Sequence, residues 1–239
     1  MSRIFLVRHA QASFLEPDYD KLSLLGETQA RLLGEYWASR NIAFDRVYSG
    51  PCVRQVDTAR LVAKGYRGLG VPFPELVVIQ EFDEYQGEEV LRKSIPDLLQ
   101  SDAGISDLHA IFQNADTHEK KRKSFQQMFE VVVGRWVDGE LPMQGVESWP
   151  QFCSRVNRGL SKLTSSSTRG EQVVIFSSGG PIGVAMQRAL NLSPRDTLRT
   201  TWMSRNCSYS EFLSSGKQFT LSTFNAFPHL DDPSLLTYR

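Results

Sequence analysis

Three short stretches carry side chains suited to phosphate chemistry. Arg8-His9 directly follows the apolar run Ile4-Phe5-Leu6-Val7, and Arg54 follows the turn Ser49-Gly50-Pro51. Ser177-Ser178-Gly179-Gly180 follows Val173-Val174-Ile175-Phe176 and precedes Pro181. Guanidinium forks make paired, charge-assisted hydrogen bonds to phosphate oxygens. A Gly-rich turn opening a helix presents backbone N–H groups to an anion. A neutral imidazole nitrogen is a competent nucleophile near pH 7. Singly, each stretch has an ordinary reading: a solvated strand end, an Arg54–Asp57 surface pair of little energetic weight, a strand-to-helix turn. Together, and in this order, they describe a phosphate site with a histidine in its floor. A cysteine phosphatase is excluded, since the arginine its loop requires after Cys52 falls at Thr58. No Gly-rich run ending in Lys-Ser/Thr exists for a P-loop nucleotide hydrolase.

These residues need a scaffold that delivers them to one edge. Ile4 to Val7 and Val173 to Phe176 are continuous apolar runs, the signature of strands buried on both faces of a parallel sheet. A helix is expected from about Ser23, with Leu25, Leu32, Leu33, Tyr36 and Trp37 on its apolar face. A short strand follows around Arg46-Val47-Tyr48, then a helix through Thr58 to Ala63 that stops near Gly65. Glu75 to Gln80 reads as another strand, Phe152, Val156 and Leu160 as one face of a helix, and Cys207 to Leu213 and Phe219 to Phe224 as strands joined around Ser214-Ser215-Gly216. Strand alternating with helix makes an open α/β sheet, whose ligands bind at the C-terminal ends of the strands. Between about residues 88 and 150 the alternation lapses. That segment reads as a cap insertion within a single domain spanning 1–239. Its one strong helix carries Phe125, Met128, Phe129, Val132 and Trp136 on a stripe that is either cap core or a dimer surface. The basic run Lys120 to Lys123 opening that helix reads as a solvated face.

Composition narrows the function classes. The 239 residues hold 27 basic and 27 acidic side chains, and a net charge of zero argues against a general nucleic-acid or membrane-surface binder. Cys52, Cys153 and Cys207 form no metal-binding or disulfide pattern, so reduced thiols in a cytoplasmic protein are expected. The run at Ile4 is cut short by Arg8, and the later apolar stretch from Val173 to Met186 is interrupted by Ser-Ser-Gly-Gly-Pro, so neither a secretory leader nor a membrane span is read.

The motifs resemble those of the histidine phosphatase superfamily, the phosphoglycerate mutase-like proteins. Leu6-Val7-Arg8-His9-Ala10-Gln11 is similar to Leu-Val-Arg-His-Gly-Glu/Gln, and Leu22-Ser23-Leu24-Leu25-Gly26-Glu27-Thr28-Gln29-Ala30 to Leu-Ser-x-x-Gly-x-x-Gln-Ala. Tyr48 to Ala59 resembles Tyr-Ser-Ser-Pro-x-x-Arg-x-x-x-Thr-Ala, and Val174 to Ile182 resembles Val-Val-Ser-His-Gly-Gly-x-Ile. The resemblance implies a three-layer fold, a mostly parallel sheet with helices on both faces. It also implies a metal-independent phosphatase without cofactor, acting on a small phosphorylated metabolite or another phosphomonoester. His9 would form a phosphohistidine, Arg8 and Arg54 would hold the phosphoryl oxygens, and Ser178 and Gly179 would line the pocket. Glu81 would protonate the leaving oxygen, with Glu84 as the alternative. Gln11, Ser13 and Phe14 would stand at the mouth and select the substrate. The asparagine that mutases place after the first motif is missing from Ser13-Phe14-Leu15-Glu16, so glycolytic mutase activity is not expected.

Two positions depart from the pattern. Ala10 replaces the first-motif glycine, which demands a negative φ there. Ser178 replaces the second pocket histidine, and none of His109, His118 and His229 sits in a motif that would substitute for it. Loss of one such donor raises a barrier by roughly 2.7–4 kcal/mol. Two functions are therefore carried forward, a phosphatase working through His9 and a pseudophosphatase that binds a phosphorylated ligand without turnover.

Overall fold

A computed structural model describes residues 1–13, 20–141, 143–215 and 218–238 of the chain. Two compact units emerge, one made of Met1–Glu84 with Cys153–Arg239 and the other of Tyr85–Phe152. The first unit is built on a six-stranded sheet. Its strands are β1 (Ser2–Arg8), β2 (Arg46–Ser49), β3 (Leu76–Val78), β4 (Gln172–Ser177), β5 (Tyr209–Ser214) and β6 (Phe219–Ala226), in the order β3-β2-β4-β1-β5-β6. The four from β3 to β1 run parallel, while β5 pairs antiparallel with both β1 and β6.

Register explains why the phosphate-type residues meet. Leu6 pairs with Ile175, Val7 with Phe176 and Arg8 with Ser177, so β1 and β4 end level. Ser49 of β2 lies opposite Phe176 on the other side of β4. Three strand ends therefore release Arg8-His9, Ser49-Gly50 and Ser177-Ser178 at one edge of the sheet. Helices α1 (Leu24–Ser39) and α2 (Val53–Gly68) cover one face. Phe5, Val7, Val47, Val174 and Phe176 point there and bury against Leu33, Trp37, Val62 and Tyr66. Burial of each such side chain stabilises the fold by about 1.5–3 kcal/mol. Edge-to-face contacts join Phe44 to Phe5 at 5.3 Å and to Trp37 at 5.0 Å. Alternation turns Ile4, Leu6, Val173 and Ile175 to the opposite face, where α7 (Gly179–Leu190) packs.

Several boundaries differ from the sequence reading. Gly65 lies inside α2, which continues to Gly68; a Cβ at Gly65 would come within 2.8 Å of the Arg31 carbonyl, so its smallness serves close packing on α1 rather than termination. The third strand is only Leu76–Val78, and Gln80–Phe82 winds into a 3₁₀ turn. The helix through Phe152 is α6 (Trp149–Ser165), and α8 (Pro194–Met203) was not anticipated. Ser193 caps α8 by accepting the Asp196 N–H, with Pro194 in the first turn, so a start signal was present.

In the second unit the one strong helix read from the sequence is α5 (His118–Val137), and α3 (Gly87–Ser101) and α4 (Ala103–Gln113) precede it, with the start of α6 following. Asp102 caps α4 through the Ile105 N–H and pairs with Arg135 of α5. The Phe129, Val132 and Trp136 stripe is buried, with Trp136 stacked on Tyr85 at 5.4 Å. Among the described residues no helix is long and apolar enough to cross a membrane.

Candidate active site

His9 begins where β1 ends and is fixed by its backbone before its side chain acts. Its N–H donates to the Ser177 carbonyl at 2.7 Å, while its carbonyl accepts from Cys207 N–H at 3.2 Å and from Asn206 Nδ2 at 3.3 Å. The Nδ1 atom lies 2.8 Å from the Ala10 carbonyl oxygen. A carbonyl only accepts, so Nδ1 carries the proton and Nε2 keeps its lone pair. Arg54 Nε stands 3.3 Å from Nε2 as donor. The ring is 6% exposed, and burial, then the charges of Arg54 and Arg8, hold its pKa well below the ordinary histidine value. His9 is therefore a neutral imidazole with a nucleophilic nitrogen facing a cation.

Ala10 fits because its φ is not positive; its N–H donates to Thr58 Oγ1 at 3.0 Å. The loop then runs against the N-terminus of α1. A Cβ on Gly26 would lie 2.1 Å from the Gln11 carbonyl oxygen, which accounts for the glycine of the second motif. Gln11 N–H donates to Gln29 Oε1 at 2.9 Å, and the Gln11 side chain is turned back to the helix cap, accepting from Ser23 Oγ at 2.8 Å. Ser13 is buried, and its N–H donates to the Lys21 carbonyl at 3.0 Å. Phe14 lies outside the described residues, as does the side chain of His118.

Arg54 enters from the first turn of α2. Its Nη1 donates to Asp20 Oδ1 at 2.6 Å, and Asp20 Oδ2 accepts the Val53 N–H at 2.8 Å. One carboxylate thus caps α2 and orients the guanidinium, with the favourable sign for a helix N-terminus. Asp20 was missed in the sequence; its only signal was an acid shortly before the helix-capping Ser23. Arg8 carries its guanidinium between the end of α8 and the segment after β6, with Nη1 donating to the Ser204 carbonyl and Nη2 to the Tyr238 carbonyl at 2.8 Å.

Ser178 occupies the N-cap position of α7, makes no side-chain capping bond, and is fully buried. Its Oγ accepts a hydrogen bond from Gln55 Nε2 at 2.7 Å. Gln55 is also fully buried, and its Oε1 accepts the Cys52 N–H at 3.2 Å, which settles which end of the amide is the donor. With Oγ accepting from Gln55, the hydroxyl proton of Ser178 is left to donate elsewhere. Gly179 has to be small: a Cβ there would sit 2.8 Å from Thr201 Cγ2 on α8.

The two acids separate. Glu81 pairs with Lys162 on α6, and this bond holds its carboxyl below the usual carboxylate range. Its Cβ faces Gly159, where a methyl would come within 2.7 Å. Glu84 instead reaches the start of α7, its Oε2 accepting the Gly180 N–H at 3.2 Å. The 3₁₀ turn at Gln80–Phe82 sends one acid to each place. Arg155 Nη1 pins that turn by donating to the carbonyls of Gln80, Glu81 and Asp83 at 3.2, 3.2 and 3.1 Å. Cys52 donates to Asp83 Oδ1 at 3.1 Å, and burial, the largest influence, pushes its thiol up to about 12, so it is no nucleophile. Among the described residues no group of acids, histidines and cysteines is arranged to hold a metal ion.

His9, Arg54, Ser178 and Glu84 are thus linked through neighbouring loops at one sheet edge, while Glu81 is held by α6 and Gln11 by α1. The solved structures most like this one include YhfR from Bacillus stearothermophilus, with 15% identity, a TM-score of 0.66 and coverage of 97% of this chain and 100% of that one. Phosphoserine phosphatase from Entamoeba histolytica, solved with 3-phosphoglyceric acid, gives 18% identity and a TM-score of 0.64 over 96% of this chain and 100% of that one. A mycobacterial glucosyl-3-phosphoglycerate phosphatase gives 18% and 0.59 over 94% and 98%. These likenesses establish the fold. No curated protein matches the sequence. The family model for the histidine phosphatase superfamily (branch 1) matches residues 4–104 and 99–226. With nearly the whole sequence matched and the motif residues gathered at one sheet edge, the chain belongs to the histidine phosphatase superfamily.

Proposed function

We propose that the chain is a phosphomonoesterase acting through a phosphohistidine on His9. The observation that carries this reading is the ring's state: Nδ1 is committed to the Ala10 carbonyl, and Nε2 stays unprotonated and faces Arg54. The Nε2 lone pair attacks phosphorus as the P–O bond to the leaving group breaks. Negative charge spreading over the equatorial oxygens is met by Arg54, the Ser178 hydroxyl and the Gly179 N–H, with Arg8, whose Nη atoms donate to the Ser204 and Tyr238 carbonyls, adding its charge beside His9. Glu84, at the same loop junction, gives its proton to the leaving oxygen; Glu81, the choice made from sequence, is already ionised against Lys162. Water then attacks the phosphohistidine and returns a proton to Glu84, releasing inorganic phosphate and restoring neutral His9. The positive charge comes from side chains, so the reaction calls for no metal.

Relatives of this fold were solved with phosphoserine and with 3-phosphoglyceric acid, which supports a small phosphorylated metabolite as ligand here. The cysteines are all free, consistent with a cytoplasmic setting. A second reading rests on Ser178. A neutral hydroxyl in place of a histidine suits a pseudophosphatase that binds a phosphorylated ligand and turns it over negligibly. Hydrolysis of p-nitrophenyl phosphate in the presence of chelator decides between them. The phosphatase reading expects turnover in wild type and none in His9→Ala; absence of turnover together with tight phosphate binding would favour the binder.

A further inference from the structure

The segment after β6 returns to the underside of the His9 loop, and Thr237 is where its contacts converge. Thr237 Oγ1 accepts from Gln29 Nε2 at 3.0 Å and donates to Asn206 Oδ1 at 3.0 Å. Its carbonyl accepts the Asn206 N–H at 2.9 Å. Two residues earlier, the Leu235 carbonyl accepts from the same Gln29 amide at 2.7 Å; one residue later, the Tyr238 carbonyl accepts from Arg8 Nη2 at 2.8 Å.

Each partner passes the constraint on to the site. Asn206 uses its amide nitrogen to hold the His9 carbonyl at 3.3 Å. Gln29 uses its amide oxygen to hold the Gln11 N–H at 2.9 Å, fixing the far side of the same loop. Both are fully buried, and the Thr237 hydroxyl joins them, accepting from the Gln29 amide and donating to the Asn206 amide. Without that hydroxyl, Asn206 loses the donor to its Oδ1 and Gln29 loses one of two acceptors, so Asn206 is held only through Nδ2 and Gln29 only by the Leu235 carbonyl and the Gln11 N–H. A buried polar group left unsatisfied costs more than the bond it made.

We infer that Thr237 is a positioning residue: its hydroxyl steadies Gln29 and Asn206 in the orientations that hold the His9–Gln11 loop and so present His9 to phosphate. It touches neither substrate nor phosphorus. The inference rests on the phosphohistidine reading for its activity assay, and a binding assay stands beside it so that the two fail separately.

The test compares wild type with Thr237→Val, which keeps the shape and removes the hydroxyl, and Thr237→Ser, which keeps the hydroxyl. Each is assayed for hydrolysis of p-nitrophenyl phosphate, for calorimetric binding of orthovanadate as a phosphoryl transition-state mimic, and for thermal stability. Thr237→Val is expected to lower kcat about tenfold with KM within about twofold, and to weaken vanadate about tenfold, the worth of roughly one buried hydrogen bond. Thr237→Ser is expected to return both to within about twofold of wild type. If wild type binds vanadate but does not hydrolyse ester, the phosphatase reading fails and the vanadate series alone judges Thr237. Vanadate affinity and kcat unchanged in Thr237→Val would overturn the inference. So would equal losses in the valine and serine variants accompanied by an equal drop in Tm, since that is the mark of a merely structural role.

Discussion

Replacing Glu84 by glutamine isolates proton donation from architecture. The amide oxygen of glutamine still accepts the Gly180 N–H that Glu84 Oε2 accepts at 3.2 Å, so the α7 turn should survive; only the transferable proton is removed. A positioned general acid contributes about 10²–10⁴ in rate, or roughly 2.7–5.4 kcal/mol. The loss should depend on how badly the leaving oxygen needs its proton. With p-nitrophenolate, a good leaving group, Glu84→Gln should cost about tenfold or less; with an alkyl alkoxide leaving from glycerol phosphate it should cost a hundredfold or more. Glu81→Gln serves as the contrast. It breaks the pair with Lys162, whose side chain is 65% exposed, and such pairs are worth about 0–1 kcal/mol, so kcat should change by less than about threefold with either ester. Steady-state kcat for the two esters with the two variants completes the assay. A larger loss in Glu81→Gln would refute the assignment. A loss in Glu84→Gln that is the same for both leaving groups would show that Glu84 only braces the turn.

Burial pushes His229 down to about 3, so below pH 6.5 the unfolded chain takes up a proton that the folded chain resists, and stability falls as pH drops from about 6.5 towards 3. Between pH 7.5 and 5 this group should remove about 2 kcal/mol, and His229→Phe should lose that much less than wild type in urea titrations; identical slopes would contradict it. His9, also depressed, acts in the same direction and is left in place in both proteins. Ser178→His alone should not restore a family-like pocket, because Gln55 Nε2 already stands 2.7 Å from Ser178 Oγ in a fully buried site. The added ring should cost about 1–3 kcal/mol in stability without raising kcat, whereas Gln55→Ala with Ser178→His should recover the fold and exceed wild type in phosphate affinity. A Ser178→His protein as stable as wild type and faster would show that the space was there all along.

How much of this was legible in the sequence follows from the range of each interaction. His9, Arg54 and Ser178 were found because each sits within a few residues of an apolar run whose strand character is local, and the sheet register then brings those ends together. Ala10 was judged from backbone conformation alone, and its φ conforms. Glu81 against Glu84 could not be resolved from spacing, because the choice depends on a three-residue 3₁₀ turn clamped by Arg155 from a distant helix. Gln55 was hidden for a similar reason: its partner Ser178 is 123 residues away, and only the fold makes the pair. Thr237 lies 208 residues from Gln29 and 31 from Asn206, so no local pattern announces it. The helices α3 and α4 of the second unit escaped because Pro96 lies inside α3 and the α4 cap is a lone Asp102, both of which read as loop signals. Serine, proline and aspartate at residues 193–196 did spell a helix start, and α8 was the avoidable omission.

Trapping the covalent intermediate shows whether phosphate passes through His9. Wild type and His9→Ala would be mixed with a ³²P-labelled phosphomonoester, quenched in alkali within milliseconds, and the labelled peptide mapped. A base-stable, acid-labile phosphate is expected on His9 in wild type, with no label in His9→Ala. Turnover with no label on His9, or with a label carried on another residue, would contradict it.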